Sequence, residues 1–63
     1  MHPSPIQVLE ALAYARAALW QAGDFELPQA VEPLQRYARE LGVDPVKAER
    51  IILRAFAARS ELP

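Results

Sequence analysis

The chain contains no cysteine, a single histidine at position 2 and only two glycines among 63 residues. Without cysteine there is no disulfide framework and no thiolate nucleophile. A lone histidine leaves no Cys/His set for a structural metal. Two isolated glycines cannot build the glycine-rich loop that cradles phosphates. Charge of neither sign prevails, the net being -1. Charge-free stretches such as Ala17 to Gly23 fall far short of the roughly 18 apolar residues a membrane span requires. No basic segment followed by an apolar run resembles a secretory signal, so a cytoplasmic protein without membrane contact is expected.

Sixty-three residues make one domain, and a chain of this size buries only about 60% of the surface its unfolded form exposes. Small domains compensate with disulfides, a metal or self-association, and of these only self-association is open to this composition. The charge is unevenly placed. In residues 1–35 Arg16 stands against Glu10, Asp24, Glu26 and Glu32, whereas Arg36, Arg39, Lys47, Arg50, Arg54 and Arg59 outnumber the acids of the remainder. This excess permits a nucleic-acid partner without demanding one.

What the chain does contain is helix punctuation. The prolines at 3 and 5 keep residues 1–4 out of a helix, as a short arm, and Ser4 followed by Pro5 supplies an N-cap and a first helical residue. A first helix is expected over 5–22, stopped by Gly23. On a 100° wheel Ile6, Val8, Leu9, Leu12, Ala13, Leu19 and Trp20 form a broad apolar face opposite Gln7, Glu10, Tyr14 and Gln21. Beside it Ala11, Ala15, Ala18 and Ala22 recur at helical spacing, a strip against which another helix could pack closely. Arg16 falls within the apolar face, where its stem covers the core edge and its head is expected to reach Asp24, Glu26 or solvent. Phe25 and Leu27 are expected as inward anchors of the connection. Because an interior proline costs roughly 3 kcal/mol, Pro33 predicts a second helix only over 33–41, with 28–32 a turn. That helix carries Leu34, Tyr37, Ala38 and Leu41 on one stripe. Gly42 ends it, Asp44 caps a third helix opened by Pro45, and this helix runs over 45–60 before fraying at Glu61, Leu62 and Pro63. The expected core is Leu9, Leu12, Leu19, Trp20, Leu34, Leu41, Val43, Ile51, Ile52, Ala55 and Phe56.

The fold these elements predict is all-α, a small three-helix domain whose second and third helices form a helix-turn-helix-like corner. At that corner the chain resembles the helix-turn-helix DNA-binding domains: Ala38, Gly42 and Val43 stand where the family has its small residue, turn glycine and buried aliphatic, and Ala48 and Ile51 fill further core positions. The run from Gly23 through Asp24, Phe25, Glu26 and Leu27 to Pro28 is similar to the start of the same unit in gluconate-repressor-type winged helices, although no residues remain after Pro63 for a β-wing. Leu19 through Phe25, an alanine-bearing helix and Asp44-Pro45 also resemble one tetratricopeptide repeat, a unit that needs neighbours to bury its face.

The helix-turn-helix resemblance implies DNA contact through the third helix, where Lys47, Arg50 and Arg54 would meet nucleic acid. Its outward positions are nevertheless Val46, Glu49, Arg50 and Leu53, of which only Arg50 suits a phosphate or guanine edge. Val46, Leu53 and Ala57 instead form an outward apolar strip of the kind that seeks protein. The expected function is therefore a non-catalytic interaction module, without cofactor or metal, that self-associates or acts as an adaptor through Val46, Leu53 and Ala57 or through Ala11, Ala15 and Ala18. A DNA-binding regulator is the alternative. An enzyme is not expected, since the histidine lies in the arm and both serines fall at helix ends.

Overall fold

The computed structural model describes residues 2–60, with side chains described through residue 58; Met1 of the arm and the fraying expected at 61–63 lie outside the described residues. Three helices, α1 (Pro5–Gln21), α2 (Leu27–Leu41) and α3 (Pro45–Ser60), pack against one another in all three pairings. The described residues contain no strand.

The helix ends follow from local chemistry. Ser4 Oγ accepts from the Gln7 N–H at 3.2 Å, and Gln7 Oε1 accepts from the Ser4 N–H at 3.0 Å, a reciprocal box that satisfies two donors at the start of α1. Gly23, at φ +88°, lets the chain leave α1 while Gly23 and Asp24 donate to the carbonyls of Trp20 and Leu19. Gly42, at φ +75°, does the same for α2, with Val43 donating to the Ala38 carbonyl at 2.9 Å. Asp44 Oδ1 accepts from the Val46 N–H at 2.8 Å and opens α3, with Pro45 at a position that needs no donor.

The start of α2 departs from the sequence expectation. Residues 28–32 are helical rather than a turn, and Pro33 lies inside the helix. Proline at 33 cannot donate to the carbonyl of Gln29, four residues back, which leaves that acceptor open. Arg16 fills the vacancy from α1: its Nη2 donates to the Gln29 carbonyl at 2.9 Å and its Nε to the Ala30 carbonyl at 2.8 Å. The guanidinium also lies over the Phe25 ring, 4.7 Å from its centroid. Arg16 therefore pairs with backbone and an aromatic face rather than with Asp24 or Glu26. Hydrogen bonds to a charged group contribute about 1.5–3 kcal/mol, enough to offset much of the proline's cost.

The core is narrow. Among the described residues six of the eleven buried apolar side chains are alanines, namely Ala13, Ala17, Ala30, Ala38, Ala48 and Ala55, with Leu9, Leu34, Val43, Ile52 and Phe56 completing the set. Alanines at helix contacts favour the short end of the 8–10 Å interaxial range, but each buries little apolar area. Leu12, Trp20, Phe25, Val31, Leu41 and Ile51 pack on this core half-buried. Trp20 meets Phe56 with ring centroids 5.3 Å apart and planes tilted by 45°.

Leu19, expected in the core, is 40% exposed. The buried face of α1 runs through Leu9, Ala13 and Ala17, which places Leu19 about 100° or more around the wheel from its centre. Ala11 and Ala15 lie opposite that face and are exposed, Ala18 is half-buried, and the buried alanines of α1 are Ala13 and Ala17. Leu27 is likewise no inward anchor, and Tyr37 is exposed despite sharing the stripe with Leu34.

Candidate interaction groove

On α3 the residues Ala48, Ile52, Ala55 and Phe56 point into the core at helical spacing. On α2 the corresponding set is Ala30, Leu34 and Ala38. Beyond these contacts α2 and α3 leave an open groove of about 740 Å³ between them. Its floor is the core itself: Ala38, Val43, Ala48, Ile52 and Phe56, with Trp20 reaching in from α1. Leu27, Val31, Gln35 and Arg39 form the α2 wall, and Pro45, Glu49, Leu53 and Ala57 the α3 wall.

The floor is made of buried or half-buried residues and the rims carry the exposed leucines Leu27 and Leu53. Leu53 is 61% exposed and Leu27 46%. Polar atoms gather toward the turn, where Gln35, Arg39 and Glu49 stand, whereas the far half is lined by Leu27, Val31, Leu53, Ala57 and the Trp20–Phe56 pair. The groove is thus mainly apolar, with its charged side chains toward one end.

The residues singled out from sequence divide. Leu53 and Ala57 sit on the α3 wall. Val46 is exposed but not part of the groove lining, and Ala11, Ala15 and Ala18 belong to a different side of α1. Lys47, Arg50 and Arg54 are all exposed on α3 and likewise lie outside the groove. The α2 wall went unanticipated because the turn expected at 28–32 removed Leu27 and Val31 from any helix; their spacing with Gln35 and Ala38 is the signal that would have found it.

Among the described residues no group of three or more His, Cys, Asp or Glu side chains could hold a metal ion, and no helix is long and apolar enough to cross a membrane. No protein-family model matches the chain, and no curated protein or solved structure matches it.

Proposed function

We propose that the chain is a non-catalytic interaction module that docks a protein through the α2–α3 groove. The observation that carries this reading is the groove itself: an apolar slot floored by core residues and rimmed by Leu27 and Leu53, the latter 61% exposed. Contiguous exposed apolar surface with a polar margin is the usual mark of a protein-binding face. Affinity capture with crosslinking, from cells that make the protein, tests it. Leu53→Asp is expected to abolish capture of the crosslinked species, whether another protein or the chain itself, while Ala15→Asp on the far side of α1 leaves it intact. Equal capture by the wild type and Leu53→Asp would reject the groove.

A second reading, DNA binding through α3, is favoured by one feature. Lys47, Arg50 and Arg54 are all exposed and share one side of the helix that follows the Gly42 turn. It predicts salt-sensitive retardation of duplex DNA that weakens on Arg50→Ala and Arg54→Ala. No retardation at low salt would reject it.

A further inference from the structure

Resting on the reading of the groove as a protein-docking face, we infer that its occupant is a second copy of this chain, paired about a two-fold axis that runs along the groove. In a two-fold interface one patch must satisfy itself, so every group needs its complement within the same patch. This groove meets that condition. Among the described residues it carries one cation and one anion, Arg39 on the α2 wall and Glu49 on the α3 wall.

Their positions select the axis. Arg39 lies three residues before Gly42 and Glu49 five residues after Asp44, about 5 and 8 Å from the turn at 1.5 Å per residue, so both occupy the corner half. Leu27 and Val31 begin α2 and Leu53 and Ala57 belong to the later half of α3, so the open half is apolar. Rotation by 180° about an axis along the groove exchanges the walls and keeps corner beside corner. Helix α2 of each copy then lies over α3 of the other. Arg39 faces Glu49 of the second copy twice, and the leucine rims of the two open halves meet. A two-fold axis across the groove would instead press each charged pair onto an apolar end, desolvating it without a counter-charge.

The groove is lined by fourteen residues, fewer than the 20–30 a side of a standard stable interface. The pairing is therefore a weak one.

Sedimentation equilibrium of the full chain from about 1 µM to about 1 mM tests this. The wild type is expected to convert from monomer to dimer across that range. Arg39→Glu alone and Glu49→Arg alone each place like charges at both contacts, and each is expected to dimerise at least about tenfold more weakly. Mixing the two variants restores opposite charges at both contacts, and a heterodimer at near wild-type strength is expected. Rescue on mixing cannot come from an ion pair within one chain. Far-UV circular dichroism of each variant confirms that α1–α3 remain folded.

A wild type that stays monomeric at all concentrations would overturn the pairing. So would a dimer that neither charge reversal weakens, or a mixture that gains nothing over the separate variants. Loss of capture by Leu53→Asp with a monomeric wild type would overturn the second copy as occupant while leaving the groove as a docking site for another protein. Failure of both experiments would remove the groove as well.

Discussion

Arg16 and Pro33 are each unfavourable where they stand, and each is tolerated because of the other. A charge on the inward side of α1 would cost several kcal/mol if buried without partners, and proline in α2 strands the Gln29 carbonyl. Two hydrogen bonds of 2.8 and 2.9 Å from Arg16 to the Ala30 and Gln29 carbonyls, with Phe25 beneath the guanidinium, settle both. Arg16→Ala is accordingly expected to cost about 2 kcal/mol in urea unfolding, since two acceptors lose charged donors. In a Pro33→Ala background the same change should cost less by at least about 0.5 kcal/mol, because the alanine N–H can serve Gln29 itself. Strict additivity of the two changes would show that the arginine does not act through the carbonyl the proline leaves open. The partner of Arg16 was not legible in the sequence, where Asp24 and Glu26 of the following connection are opposite charges it could have met.

At the scale of elements, the ends of the helices were legible and their inward faces only partly so. Ser4-Pro5, Gly23, Gly42 and Asp44-Pro45 act through contacts within about four residues, and each does in the structure what its chemistry requires. Gly42 holds φ +75° with open space where a side chain would go, so Gly42→Ala should cost about 1 kcal/mol through backbone conformation alone. Unchanged stability in that variant would show that the turn can be made in another way. On α1 two alanine registers compete, and the wheel does not choose between them. Ala13 and Ala17 are fully buried, whereas Ala15 is exposed. Ala17→Leu should therefore destabilise by about 1–3 kcal/mol through overpacking, and Ala15→Leu should change stability by no more than about 0.5 kcal/mol. Thermal unfolding of the pair reads the difference directly.

For the whole molecule the decisive quantity is how little the core holds. A body of 33 × 22 × 19 Å buries six alanines and five larger apolar side chains while Leu27, Val46 and Leu53 remain on its surface. Part of the apolar capacity that the core does not use, Leu27 and Leu53, lies at the α2–α3 groove, together with Arg39 and Glu49. Association through that groove would add stability by mass action. The unfolding midpoint of the wild type should then rise with protein concentration, and that of Leu53→Asp should not, while at high dilution the two agree to within about 0.5 kcal/mol. Concentration-independent melting of the wild type would count against association at this face.

The sequence by itself determined that the protein is all-α, where its three helices end except at the start of α2, and that α2 and α3 meet at a glycine turn. These depend on caps, prolines and glycines acting over one helical turn. Tertiary structure decided that α2 runs through Pro33, that Ala13 and Ala17 rather than Leu19 face inward, and that Leu27 and Val31 join Leu53 and Ala57 around one groove. Each of these depends on groups brought together from different helices. Arg16 reaches carbonyls thirteen and fourteen residues away, and the face a helix buries is set by the neighbour it packs against.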